Sequence, residues 1–151
     1  MDDEAPLDCR ACRYEREGLP GGWYFQNSHW SVGRYAMEVP GWTVVQLRRH
    51  APALIDLSPE ELASMGPTLA TAARAIQEVI KPERIYLMSF AEHNRHVHMS
   101  MVPRGDEVPE DHRSATYLRD IINLKKYGNP SNAAQVDDRI RAVLASTNRA
   151  N

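Results

Sequence analysis

The chain has 151 residues, 42% hydrophobic and 25% charged, with a formal net charge of −2 and a pI near 6.3. That is enough chain for one domain with a real core and too little for two ordinary ones, so residues 1–151 are expected to form a single domain. The near-neutral balance offers no basic field for nucleic acid or an anionic membrane, and no window approaches the apolar length of a transmembrane helix. The opening Met1-Asp2-Asp3-Glu4 is acidic where a secretory signal would be basic. The expectation is a cytoplasmic protein with no membrane and no nucleic-acid partner.

In chain order, residues 1–22 carry both cysteines, Cys9 and Cys12, and end in the turn-rich Leu19-Pro20-Gly21-Gly22. One disulfide is a poor framework for a chain of this length. In a reducing compartment the C-x-x-C spacing points to metal or redox chemistry. Residues 23–27, 30–37 and 42–47 read as strands, rich in aromatic and β-branched residues, with Val39-Pro40-Gly41 as a turn between the last two. Ser58-Pro59-Glu60-Glu61 is a capping box with proline at the first helical position. Apolar residues then recur with helical spacing from Leu62 to Ile80, and Lys81-Pro82 stops the helix. Gly66-Pro67 predicts a kink or break within it.

Residues 84–90 and 97–102 read as strands, 114–127 as a short helix and 131–146 as a better one, the last two forming a C-terminal helical extension over 114–151. Strands, helix, strands, helices suggest an α+β domain: an antiparallel sheet of about five strands with helices packed on it.

Three of the six histidines, His93, His96 and His98, fall within one short run. From His96 the run alternates. His96, His98 and Ser100 point to one face of a strand, with the two imidazoles about 7 Å apart, and Val97, Met99 and Met101 point to the other. An ordinary half-exposed strand explains the alternation but not the C-x-x-C or the wider pattern.

That pattern resembles the histidine triad (HIT) superfamily. Four pieces carry the resemblance, in order. They are Cys9-Arg10-Ala11-Cys12, the glycine-led strand from Gly41 to His50, the helix start Asp56-Leu57-Ser58-Pro59-Glu60-Glu61, and the run from His96 to Pro103-Arg104. The resemblance implies a nucleotidyl or phosphoryl hydrolase or transferase acting on a nucleoside phosphate-type substrate. His98 stands in the nucleophile position, forming a phosphoramidate, and Ser100 in the third triad position, where most members carry histidine. It also implies a structural zinc ion held by Cys9, Cys12, His50 and His96, and a homodimer formed through the long helix, whose Ala70, Ala72, Ala73 and Ala75 permit close approach, and an adjoining strand. Asn94, Arg95 and Trp42 are expected to bind substrate, with His93 and Arg104 as further flanking residues. Trp42 occupies a position where hydrolysing members hold another histidine, and Arg34 falls near the carboxylate that often holds ribose hydroxyls. The alternatives are a HIT-fold protein that binds a nucleotide or other small ligand without ordinary hydrolysis, and a thiol redox protein using Cys9 and Cys12.

Overall fold

The computed structural model describes residues 8–35, 39–124 and 130–148. Five strands make one antiparallel sheet: β1 (Trp23–Gln26), β2 (Trp30–Arg34), β3 (Thr43–Leu47), β4 (Arg84–Met88) and β5 (His98–Arg104), in the spatial order β1-β2-β3-β5-β4. The helices are α1 (Arg10–Glu17), α2 (Pro59–Ile80), α3 (Ala115–Leu124) and α4 (Ala133–Asn148). The expected α+β architecture is the one found.

The period of two in the strands divides the sheet into two unlike faces. Val32, Val45, Leu47, Met99 and Met101 join α2 and α4 in the main core through Ala72, Ala75, Ile76, Val136, Ile140 and Leu144. The opposite face carries Ser31, Val44, Gln46, His98 and Ser100. In the register of β3 on β5, Gln46 pairs with His98 and Val44 with Ser100. At one side of this second face α3 closes a smaller core of Trp42, Val102, Val108, Tyr117 and Ile121. A pocketed polar strip is left between α1 and α3.

Several boundaries differ from the sequence reading for identifiable reasons. Residues 10–17 form a helix where only a cysteine-bearing segment was expected. This helix is short and mostly polar, its buried residues being Ala11 and Cys12, so periodicity gives little signal and docking must hold it. Gln46 fastens it, donating from Nε2 to the Ala11 carbonyl (3.1 Å) and to Glu15 (2.7 Å). α2 runs unbroken through Gly66-Pro67. Pro67 and Ala63, whose carbonyl loses its partner, are both exposed, so water can serve the freed acceptor. β5 continues through Pro103 to Arg104, because the pairing with β3 has ended by Met101 and only β4 flanks the proline. Ala72 and Ala75 are buried in the chain's own core, so these two small residues let α2 approach its own sheet rather than a second copy. Parts of the expected strand 30–37 and helix 114–127 lie outside the described residues.

The start of α2 is built as the sequence predicts. Ser58 accepts from the Glu61 amide, and Glu61 accepts from the Ser58 amide at 2.7 Å. Glu61 also takes two hydrogen bonds from the Arg49 guanidinium, at 2.6 and 2.7 Å. These Arg49 bonds hold its carboxyl below the usual carboxylate range, aided by the Ser58 amide and opposed by burial. A depressed folded-state pKa adds stability above the unfolded-state value and loses it as pH falls through the folded one. Glu61→Gln should therefore cost about 1 kcal/mol at neutral pH, a modest figure because Arg49 is partly exposed. The difference from wild type should vanish in acid. Urea denaturation of both proteins at pH 7 and below pH ~4 checks this; a gap that persists unchanged in acid contradicts the assignment.

Candidate functional site

Two adjoining centres occupy the polar face. The first joins three separate parts of the chain. Cys9 and Cys12 flank the start of α1, His50 follows β3, and His96 lies two residues before β5 begins. Both cysteines and His96 are buried, and both cysteines are free thiols. The Nδ1 atom of His96 lies 3.4 Å from both Sγ atoms, and that of His50 lies 3.4 Å from the Cys12 sulfur. All four candidate ligand atoms fall within 4.8 Å of one another. Zinc bonds of about 2.3 Å to sulfur and 2.0–2.1 Å to nitrogen give tetrahedral edges of about 3.5 Å, so this cluster could hold zinc with little movement.

The protonation states suit a ligand set. Nε2 of His96 lies 2.7 Å from the Leu47 carbonyl, which makes Nε2 the donor and leaves the Nδ1 lone pair facing the thiols. Burial pushes the His96 imidazole down to about 4, opposed by the Leu47 carbonyl, and so keeps it neutral. Burial, with the neighbouring Cys9, pushes the Cys12 thiol up to about 12. A dication among these groups would reverse that second effect.

The second centre is His98. Its Nδ1 lies 2.7 Å from the carbonyl oxygen of its neighbour but one, His96. A carbonyl only accepts, so Nδ1–H donates and Nε2 carries the lone pair. His98 is half-buried. It opens on one side to a narrow recess of about 40 Å³ and on the other to a cleft of about 340 Å³. Ser100, buried two residues further along the same face, lines the cleft with Trp42, His93 and Asn94. Trp42 stacks on Tyr35 with ring centroids 5.0 Å apart, and its buried Nε1 has no hydrogen-bond partner among the described residues.

The expected site residues thus separate into groups. His98, Ser100, Trp42, Asn94 and His93 meet in the cleft, while Cys9, Cys12, His50 and His96 meet beside it. Arg95 lines a different surface recess with Pro52, Phe90 and Glu92. Arg104 is buried at the far end of β5, donating to the Gly105 carbonyl at 2.9 Å. Trp30 is a core residue on the helical face, its Nε1 donating to Ser64 and the Glu61 carbonyl. Sequence reasoning missed Arg10, Tyr35, Phe90 and Ile122 in the lining. Gln46 had a signal in the strand alternation that places it opposite His98. The others enter through α1, loops or α3 and had none.

No protein-family model matches the chain, and no curated protein matches it. Solved structures do. A Zn-bound histidine triad family protein from Mycobacterium smegmatis is 18% identical over 96% of this chain and 99% of its own, with a TM-score of 0.68. A hypothetical histidine triad nucleotide-binding protein from Sulfolobus tokodaii is 14% identical over 93% and 95%, with a TM-score of 0.70. A Hit-like protein involved in cell-cycle regulation from Bartonella henselae is 17% identical over 91% and 98%, with a TM-score of 0.67. The chain has the histidine triad fold, across nearly the whole length of these neighbours.

Proposed function

We propose that the protein is a HIT-type nucleotidyl or phosphoryl hydrolase or transferase acting through a covalent intermediate on His98. The observation that carries the reading is the tautomer of His98, whose Nε2 lone pair is left free at the junction of recess and cleft. Nε2 attacks the phosphorus of a nucleoside phosphate-type substrate. The P–N bond forms, the bond to the leaving group breaks, and the leaving group departs with that electron pair and takes a proton from water. Ser100 donates a hydrogen bond to a phosphoryl oxygen, and Asn94 and Trp42 hold the rest of the substrate. Water, or another acceptor, then attacks the phosphorus. The P–N bond breaks, its electron pair returns to Nε2, and the attacking oxygen loses its proton to solvent. Splitting the displacement in this way makes two easier steps of one difficult one.

Cys9, Cys12, His50 and His96 would hold a structural zinc ion. When bound, it supplies a crosslink between α1 and the approach to β5. Two free cysteines in such a ligand set fit a reducing, cytoplasmic setting. No helix among the described residues is long and apolar enough to cross a membrane. A homodimer completes the proposal. β4 is an edge strand, with Leu87 on it and Leu62 on α2 both about half exposed. Light scattering at micromolar concentration should give twice the 17.1 kDa chain mass; a monomer alone rejects the pairing.

Freshly purified protein should contain about one equivalent of zinc per chain. Cys9→Ser should lose the metal and melt at lower temperature, because metal binding free energy adds to folding free energy. A metal-free preparation together with an unchanged melting point in Cys9→Ser would dispose of the zinc.

For the mechanism, His98→Ala should lose at least ~10³-fold in rate and abolish the adduct seen by intact-protein mass, whereas Ser100→Ala should cost about 10-fold. An adduct that maps elsewhere, or full activity in His98→Ala, overturns the nucleophile. Ser100 and Trp42, standing where the resemblance places histidines, favour a second reading in which ligand binds without ordinary hydrolysis. Saturable binding with no adduct on any phosphate ester, anhydride or phosphoramidate would select it.

A further inference from the structure

α1 brings both thiols to the Cys/His cluster, yet little apolar surface holds it in place. Its buried residues are Ala11 and Cys12, and with Cys9 they form a small group of their own, apart from the two larger cores. An isolated helix of this length is unstable in water. Cys9 at its N-cap offers no side-chain hydrogen bond to the first turn. The attachment of α1 to the sheet is therefore polar.

The polar face of the sheet presents a row of side chains across four adjacent strands. Gln26 of β1 lies opposite Ser31 of β2, Ser31 opposite Gln46 of β3, and Gln46 opposite His98 of β5. The first three converge on one carboxylate, that of Glu15 in the last turn of α1. Gln46 Nε2 donates to Glu15 Oε1 at 2.7 Å and the Ser31 hydroxyl to Oε2 at 3.0 Å. Gln26 Nε2 donates to Oε2 at 3.3 Å and to the Ser31 hydroxyl at 2.7 Å. The Arg48 guanidinium stands 3.8 Å away. The same Gln46 nitrogen reaches the carbonyl of Ala11, which lies between the two cysteines in sequence.

Ser31 and Gln46 are buried, and the Glu15 side chain is only 10% exposed. Polar groups placed there are costly unless paired, and each of them is paired. Hydrogen bonds are also directional, whereas apolar contact lets a helix roll and slide. The network fixes both the rotation and the axial position of α1. At the other end of the helix Asn94 Oδ1 takes the Arg10 amide at 3.2 Å.

We propose that Glu15 is a positioning residue for the Cys/His cluster: its carboxylate, held by Gln26, Ser31 and Gln46, docks α1 on the sheet and so brings Cys9 and Cys12 to His50 and His96. The effect on metal affinity rests on the reading of those four residues as zinc ligands; the docking is a property of the metal-free chain.

Cys9 and Cys12 are the only cysteines of the chain, so thiol labelling reads the docking of α1 directly. The full chain, stripped of metal by a chelator, is treated with N-ethylmaleimide and followed by intact-protein mass. Without the carboxylate α1 should be mostly undocked, and Glu15→Ala should label at least about tenfold faster than wild type. Ser31→Ala, which removes one donor, should label about threefold faster, and carries the test if Glu15→Ala fails to fold. Glu15→Gln keeps one acceptor oxygen and should fall between wild type and Glu15→Ala. Arg13→Ala, on the exposed side of α1, should change the rate by less than about twofold. Zinc affinity, measured by chelator competition, should fall about tenfold in Glu15→Ala, because only the docked fraction offers all four ligands. The proposal is overturned if Glu15→Ala and Ser31→Ala label at the wild-type rate, or if labelling accelerates while zinc affinity stays unchanged. If wild type takes up no zinc, the zinc reading falls and the labelling alone decides the docking.

Discussion

The backbone carbonyl of His96 sets the chemistry of the polar face. It accepts from Nδ1 of His98 at 2.7 Å and so decides which ring nitrogen of His98 is free to react. That carbonyl can do this only if the residue bearing it is fixed, and His96 is among the most constrained residues of the molecule. Its ring is fully buried, its Nε2 donates to Leu47 of β3, and its Nδ1 faces both thiols of the N-terminal segment. Its amide donates to the Asn94 carbonyl, while the next residue, Val97, accepts from the Leu47 amide and donates to the Ala51 carbonyl. One residue therefore joins the candidate metal cluster to the candidate nucleophile through covalent backbone, with no side chain intervening.

The sheet makes this arrangement possible by keeping its two faces separate. α2 and α4 bury the apolar side, so the other side is relieved of most core duty and can carry polar groups. α1 covers one part of that second face through Gln46 and the cysteines, and α3 covers another through Tyr117 and Ile121. The strip between them is bounded by residues from four distant stretches of chain. Asn94 ties two of these together, since its Oδ1 accepts from the Arg10 amide at 3.2 Å. The cleft wall thus follows the placement of α1, and α1 in turn follows the cysteines that begin it.

Much of this was legible in the sequence because it rests on local periodicity. The alternation from His96 to Met101 placed His98 and Ser100 on one face, and the Ser58–Glu61 capping box placed the start of α2 to the residue. The illegible parts share a physical cause, namely that long-range contacts decide them. α1 has too little apolar surface to announce itself. Arg34 acquires its position from Asp137 on α4, and nothing near either residue in the sequence indicates the pairing. The β4–β5 connection, which supplies Phe90, His93 and Asn94, has no period at all. It bends through Ala91 at a positive φ of 53°, a conformation that residue type does not suggest.

Trp42 and Ser100, two positions at which the sequence departs from the histidine triad pattern it resembles, line one cleft with His98. In the register of the sheet, Ser100 lies opposite Val44, and Trp42 stands two positions before Val44 on the same face. A short hydroxyl side chain and a large indole therefore share one wall, and the small residue leaves the large one room without opening a void in the α3 core. Ser100 puts a neutral hydroxyl beside His98, and Trp42 gives the wide cleft an aromatic wall. Arg34 stands apart from both, on the α2–α4 face of the sheet, where its Nε meets Asp137 at 3.1 Å. Asp137 is itself buried, and its charge would be costly without the guanidinium and the Tyr24 hydroxyl that meet it. The pair therefore ties the end of β2 to the docking of α4 on the sheet, as part of the fold's own energetics.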